Sequence, residues 1–313
     1  MNYRAIQEPV RLLLQDTDHI LAGYARGNGR LISALRKSTP VAKGKKIRAA
    51  FFFLLAGMHR VRGEELPRLG AAIEMLHLSS LVHDDIVDNS SRRRGEKTPN
   101  QNFGNSLSVL WGDYLFIHAL RLLDGRWRSP AMDMMLDASR LMIEGQILEF
   151  ENVFNYGLPS RIYYAIIRKK TSSMFARIAD LVAQMTDGPG RSVEELVNFG
   201  RNFGMIFQIS DDLLDIFSNR AGKDRFQDLK EGKVTLPYIL LVRQGALPLI
   251  KEFSAERPQP LLDRCTELGI KEQSIKIIDR YCRKCVVFLE SFPPSAYRES
   301  MQCLLDFIRY RDY

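Results

Sequence analysis

Apolar residues recur at three- and four-residue spacing along almost the whole chain, the pattern of helices that bury one face. It predicts helices over Tyr3–Tyr24, Lys46–Arg60, Leu66–Asp88, Ser106–Leu123, Pro130–Asn155 and Arg161–Thr186. The pattern resumes over Val193–Phe217, Leu236–Gln244, Lys271–Ser291 and Ala296–Tyr310. Period-two alternation bounded by turn residues is missing, so strands are not expected. Breakers cluster at Gly27–Gly29, Gly63, Asn155–Pro159, Asp187–Gly190, Asn219–Lys223 and Arg257–Pro260, marking turns between helices. None resembles a long linker, and no repeat of solenoid period occurs. The chain therefore reads as one all-α domain over residues 1–313, a single-domain helical bundle.

Two of these helices carry acids that a buried helix would not otherwise tolerate. Asp84, Asp85 and Asp88 fall in the apolar run LHLSSLVHDDIVD. Positions i and i+4 share a face, so Asp84 and Asp88 point the same way. Like charges this close repel, and hard divalent cations bind oxygen ligands of this type. Arg92, Arg93 and Arg94 follow at once, placing anion-binding groups beside a cation-binding face. The same i, i+1, i+4 spacing returns at Asp211, Asp212 and Asp215 in FQISDDLLD. Two such faces brought together can hold Mg2+ ions, with phosphate oxygens and water completing their shells.

In this arrangement the chain resembles the trans-isoprenyl diphosphate synthases, the polyprenyl synthetase family. The first acidic motif and RRG read here as DDIVD-NSSR-RRG. The second reads FQISDDLLD, then Gly222-Lys223, Asp228-Leu229 and GKVTLP over Gly232–Pro237. The resemblance runs from about Lys43 to Pro237, and the ordered set of motifs is far more specific than any one of them. It implies a single polyprenyl synthetase domain, with a central cavity between two facing DDxxD helices. It also implies a homodimer, and a reaction joining isopentenyl diphosphate to an allylic diphosphate. Asp84, Asp88, Asp211 and Asp215 would be the metal ligands, holding about three Mg2+ ions with diphosphate bound.

The remaining roles follow from motif positions. KGKKIR at Lys43–Arg48 stands for GGKRLRP, so Lys45 and Arg48 would grip isopentenyl diphosphate; Lys43 replaces a glycine and Ala49 a proline. His77 lies two turns before Asp84 and would bond the same substrate. Arg93 would take the allylic diphosphate and Arg94 the isopentenyl one, with Arg92 an extra. Lys170 and Thr171 match the family's KT pair, Gln208 its glutamine near the reacting carbons, and Lys223 and Lys233 its two later lysines. Glu144-Gly145-Gln146 resembles a GQ segment, where simple helix packing is an equal account.

Composition limits the alternatives. The chain is 45% hydrophobic and 26% charged, with a formal net charge of +8. The longest apolar stretch, Ala49–Met58, is too short to span a bilayer as a helix. The start MNYRAIQEPV shows no secretory signal, and a cytoplasmic location is expected. Cys282 and Cys285 form a CxxC, but Cys265 and Cys303 make no second one, so ordinary thiols are expected rather than a zinc or redox site. No nucleic-acid motif accompanies the basic charge. Weak attraction to an anionic membrane, for release of a long product, is the more plausible use of it.

Product length should be set below Asp84. In short-chain relatives a large aromatic sits four or five residues before the first aspartate, whereas here Ser80 and Ser79 stand there. One isoprene unit spans roughly one helical turn. Leu76, then Ala72 and Ile73, are the next residues down, which favours a long-chain product of about C30 to C40. Met134, Met135 or Met142 on another helix would close the tunnel earlier, giving a geranylgeranyl or farnesyl synthase. A terpene cyclase shares the helical fold but not the second motif. A non-catalytic subunit would lose aspartates that are all present here. A catalytic subunit that needs a partner stays open.

Overall fold

The computed structural model describes residues 3–24, 29–39, 44–93, 95–186, 192–218 and 225–310. Eleven principal helices are named in chain order. They are α1 (Arg11–Tyr24), α2 (Ile47–Met58), α3 (Leu66–Val87), α4 (Asn105–Arg121), α5 (Arg128–Phe150) and α6 (Ser160–Ile167). Then come α7 (Ser173–Gln184), α8 (Val193–Phe217), α9 (Leu236–Arg243), α10 (Ile270–Glu290) and α11 (Ala296–Arg309). Further helices occupy Arg30–Ser38, Pro99–Phe103, Gln227–Lys230, Leu247–Lys251 and Gln259–Glu267. These fall outside the periodic pattern because most complete too few turns to show a period.

Two expectations need correction. The run over Tyr3–Tyr24 breaks before α1, where Pro9 in the 3-10 turn Glu8–Val10 lacks the N–H that a continuous helix needs. A small antiparallel ladder forms where no strand was expected: β1 (Arg92–Arg93) pairs with β2 (Glu96–Lys97), Arg93 facing Glu96. Two residues per strand are too few to alternate visibly in sequence.

The core is a layer of aromatic side chains between α2, α7 and α8. Phe51 packs edge-on against Phe175, with ring centroids 5.3 Å apart, and lies 4.7 Å from Phe203. Phe199 stacks on Phe288 of α10 at 4.5 Å. Phe51, Phe175, Phe199 and Phe203 are buried, each contributing about 1.5–3 kcal/mol, so this layer fixes the three helices firmly. Close contact between α7 and α8 also needs Gly200, since a Cβ there would collide with the Phe175 carbonyl oxygen.

Helix α8 starts on a capping box. The Ser192 hydroxyl accepts from Glu195 N, and the Glu195 carboxylate accepts from Ser192 N. From there its apolar stripe runs through Leu196, Phe199, Phe203, Ile206 and Ile209, placing Asp211 on the opposite side of the helix end. Helix α3 lies antiparallel to α4. Ser79 Oγ donates to Gly112 O, while His83, one turn on, reaches back to Val109 O.

Between α6 and α7 the helix takes one π-helical turn, Arg168–Ser172. Such turns carry an extra residue and often sit at functional sites. Gly145 of α5 lies against it: a Cβ would come within 2.6 Å of Lys170 N. This close approach is the packing account of the GQ segment. Among the described residues, no helix is long and apolar enough to cross a membrane. Cys265, Cys282 and Cys285 are buried free thiols, and burial pushes the first two up to about 12.

Candidate active site

Helices α3, α4, α5 and α8 and the π-turn enclose a cavity of about 730 Å³. Its polar end is lined by Arg48, Asp84, Arg93, Lys170, Thr171, Gln208 and Asp211. Leu76, Phe116, Met142, Ile143 and Ile147 line its apolar part, and His77, Ser79 and Ser80 also contribute to the wall. Residues distant in sequence thus meet as the two acidic motifs predict, with Asp84 and Asp211 on the same cavity.

Each charged group is held in place. Burial raises the Asp84 carboxyl above its ordinary range, opposed chiefly by the positive charge of Lys170. Asp85, 2% exposed, turns away from the cavity and accepts Arg93 Nε and Nη2 at 2.8 and 2.7 Å. That pair anchors the β1–β2 hairpin so that Arg93 lines the site. Asp88 Oδ2 accepts from Lys233 Nζ at 2.8 Å, and Glu231 holds the same ammonium at 2.7 Å. Lys170 Nζ donates to Glu149 Oε2 at 2.5 Å. The Thr171 hydroxyl donates to Gln208 Oε1 at 2.6 Å, and Gln208 Nε2 donates to Asp212 Oδ1 at 2.9 Å. Tyr163 completes that row by donating to Asp212 Oδ2 at 2.5 Å. Asp212 is nonetheless pushed up to about 7, because burial outweighs both donors.

The other expected residues divide. Arg48 reaches the cavity with its guanidinium over the Phe175 and Phe207 rings, 5.5 and 5.7 Å from their centroids. Lys45 does not line it; its ammonium lies 4.5 Å from the Phe307 ring centroid of α11. Asp215 accepts from the backbone N–H of Gln227 and Asp228 and from the Tyr238 hydroxyl, which fixes the segment after α8. Lys233 opens onto a second, smaller hollow of about 100 Å³ shared with Glu149, Asp212 and Asp228. Arg94 and Lys223 lie outside the described residues. Glu144 bridges Arg140 and Lys169 on the surface.

Four residues at the site carried no assigned role in sequence. Glu149 looks like one more acid on an amphipathic helix, and Asp228 like part of a loop motif. Burial sets Asp228 well above the ordinary carboxyl range, aided by the charges of Asp215 and Asp212. Phe116 sits one turn past Gly112, level with Leu76 in the antiparallel α3–α4 register. It supplies from α4 an aromatic that Ser79 and Ser80 do not supply from α3. Gln146, left between packing and function, lines the cavity with its buried Oε1 lacking a hydrogen-bond partner. Met142 lines it too, whereas Met134 and Met135 are buried in the core.

The donor set suits a hard cation. The candidate ligands on the two acidic helices are all carboxylates, with no thiol or imidazole among them. Among the described residues, no three acidic, histidine or cysteine side chains stand close enough to hold an ion by themselves. Mg2+ normally takes one or two carboxylates, water and substrate phosphates rather than an all-protein cage. The arrangement fits an ion that arrives with a diphosphate.

A family model described as Polyprenyl synthetase matches residues 30–259. The chain belongs to this family. Among the synthetases it resembles, octaprenyl diphosphate synthase of Haemophilus influenzae is 31% identical over 268 residues, covering 82% of each chain. Heptaprenyl diphosphate synthase component 2 of Geobacillus stearothermophilus is 29% identical over 279 residues, covering 87% of each. Among solved structures, a polyprenyl synthase of Caulobacter crescentus superposes with a TM-score of 0.90 at 25% identity. That match covers 100% of this chain and 98% of the other, which was crystallised with calcium and isoprenyl diphosphate. The all-α isoprenoid synthase fold is thereby shared along the whole length.

Proposed function

We propose that this chain is a Mg2+-dependent trans-prenyltransferase. It condenses isopentenyl diphosphate head-to-tail with an allylic diphosphate, giving an all-trans polyprenyl diphosphate of about six to eight units. The observation that carries the reading is one cavity whose wall combines Lys170, Arg48, Arg93, Asp84 and Asp211 with the aliphatic Leu76, Met142, Ile143 and Ile147. A diphosphate with a hydrocarbon tail has this polarity. Residues 1–313 act as one domain in this proposal, working in the cytoplasm.

Breaking the allylic C–O bond leaves a delocalised cation and a pyrophosphate of increased negative charge. Asp84 and Asp211 at the cavity, with Asp88 and Asp215 on the same two motifs, would hold about three Mg2+ ions together with the diphosphate. Bound metal supplies Lewis-acid stabilisation of the departing oxygens. Lys170, Lys233 and Arg93 add fixed positive charge where that negative charge develops. Arg48 and His77 orient isopentenyl diphosphate so that its alkene attacks the cation, and loss of a proton to the pyrophosphate completes the product. Thr171 and Gln208 hold each other beside the reacting carbons. Motif position gives Lys45, Arg94 and Lys223 supporting contacts with the diphosphates. Leu76, Ser79 and Ser80 of α3, with Phe116 of α4, limit chain length.

A second chain is part of the reading. Ile143 and Ile147 line the cavity yet are 60% and 55% exposed, and Leu110 and Phe150 add further apolar surface at 64% and 68%. A homodimer would cover this face. A different subunit would do so equally, as the name "component 2" of the Geobacillus relative suggests for that protein.

The test is a product assay with Mg2+, labelled isopentenyl diphosphate and separate dimethylallyl, geranyl and farnesyl primers. Products are dephosphorylated and sized by reversed-phase chromatography, beside light scattering of the same sample. Six to eight units are expected from a dimer. Three or four units would move the protein to the short-chain class. Absence of product from every primer would favour the partner-dependent subunit.

A further inference from the structure

Away from the catalytic cavity, the outer side of the π-turn forms a groove of about 600 Å³ with α8 and α10. Arg168, Arg201 and Lys284 line it with Asn202 and Tyr281. All three cations are exposed, and among the described residues none makes an ion pair. The charge extends beyond the groove. Arg243 and Arg280, also exposed and without ion pairs, lie close enough to lower the Tyr164 hydroxyl against its burial, and that hydroxyl is also pushed up by Tyr281. Asp279 of α10 is engaged by Arg309 on α11. Three cations from the π-turn, α8 and α10 therefore share the groove, with two more on α9 and α10 near Tyr164, and among the described residues none of the five makes an ion pair. Like charges gathered at a surface repel, so the patch gains free energy when an anionic surface covers it.

Two features indicate the class of that surface. Val287, one turn beyond Lys284, is 68% exposed, setting an aliphatic side chain beside the cations. Tyr281 adds an amphipathic ring with Lys284 Nζ 5.9 Å from its centroid. Cations flanked by aromatic and aliphatic groups match a bilayer interface, whose phosphates lie just above acyl chains. A free anion would use the cations but leave Val287 idle.

We propose that this groove docks the protein on an anionic phospholipid bilayer, with Arg168, Arg201 and Lys284 meeting the headgroup phosphates. The inference rests on the prenyltransferase reading only for its purpose, delivery of a water-insoluble product. Arg168 belongs to the same five-residue turn as Lys170 and Thr171, so docking would bring lipid within about one helix diameter of the cavity.

The test is co-sedimentation of the whole protein with vesicles of phosphatidylcholine and phosphatidylglycerol in equal parts, and with phosphatidylcholine alone. Binding is expected to the mixed vesicles only, and to fall steeply with added salt. Each surface cation contributes about one unit of kcal-scale attraction near such lipid, so R201Q/K284Q should bind about 30-fold more weakly. Neither residue lies in the catalytic cavity, and prenyl transfer in detergent without vesicles should match wild type. R280Q, with a loss of about fivefold, is the second variant should the double one fold poorly. Equal binding by both variants and wild type would overturn the proposal, as would no binding to anionic vesicles. Displacement from vesicles by millimolar inorganic pyrophosphate, with none by duplex RNA, would be expected of headgroup recognition. Groove-dependent binding of RNA but not of vesicles would overturn it in favour of nucleic acid. Absence of prenyl transfer would overturn the function proposed above while leaving the vesicle result to stand alone.

Discussion

Lys233 Nζ lies 2.8 Å from Asp88 Oδ2, a bond between residues 145 positions apart in the chain. One partner follows the first acidic motif's helix, and the other follows the second. In the metal-free protein this lysine supplies positive charge that an ion would otherwise bring. Lys233→Met should therefore have two opposite effects. Mn2+ binding without substrate should tighten about tenfold in titration calorimetry, because a competing charge is gone. Turnover should fall about 10²–10³-fold, because leaving-group stabilisation is gone. Unchanged Mn2+ affinity would mean that lysine and ion do not compete for Asp88.

Glu149 holds the other central lysine, and its charge is the largest favourable influence on both Lys170 and Lys233. Glu149→Gln leaves Lys170 beside Asp84 without its closest anion. The free protein should lose about 1–3 kcal/mol, the cost of an unmade charged hydrogen bond in a partly enclosed site. Mg2+ with pyrophosphate restores a partner, so the gain in Tm on adding both should be larger in the variant than in wild type. Glu149→Asp should recover part of the loss. An identical ligand-induced shift in all three proteins would remove Glu149 from the lysine's positioning.

Phe116 stands level with Leu76 across the α3–α4 register. Phe116→Ala should lengthen the product by one or more isoprene units, each needing about one helical turn of depth. Ser80→Phe should shorten it, by placing an aromatic one turn before Asp84. Chromatographic sizing of dephosphorylated products checks both. No change with Phe116→Ala would locate the floor elsewhere.

The raised carboxyls give the metal-free protein an inverted acid response. Asp212 is pushed up to about 7 from an ordinary carboxyl value of 3.8, so between these values the folded state holds a proton that the unfolded state has released. Stability then falls as pH rises through this interval and levels off above it. Thermal melts of metal-free protein should show Tm declining from pH 5 to pH 7.5, and Asp212→Asn should flatten that decline. A rising Tm over the same range would mean that Asp212 is already ionised at pH 5.

What could be read in advance followed from local geometry and from motif position. The i, i+4 spacing put Asp84 with Asp88, and the cavity does receive Asp84, Asp211, Gln208 and His77 from long periodic helices. What could not be read depends on contacts between elements. Phe116 is an ordinary core-type residue until the register of α4 on α3 is known. Glu149 shows its importance only once Lys170 folds against it. Lys45 matched a motif, yet the next residue, Lys46, takes a left-handed φ of 47° before α2 begins. Its neighbour's ammonium lies over Phe307 rather than in the cavity. Arg93 was expected beside phosphate, but its bond to Asp85 and its place in a hairpin needed the structure.

The π-turn at Arg168–Ser172 has a consequence for how this chain can change. One residue of helix is worth about 100° of rotation. Deleting a residue from the turn would let α6 and α7 join as a regular helix, but would swing everything on one side by that angle. Lys170 and Thr171 would leave the cavity, Arg168 would leave the outer groove, and the backbone contact at Gly145 would be lost together. Substitutions within Arg168–Ser172 can be tolerated one at a time, whereas a change in its length is all or nothing. Length differences among natural variants of this protein should therefore fall in the turns flanking α6 and α7 and spare these five residues.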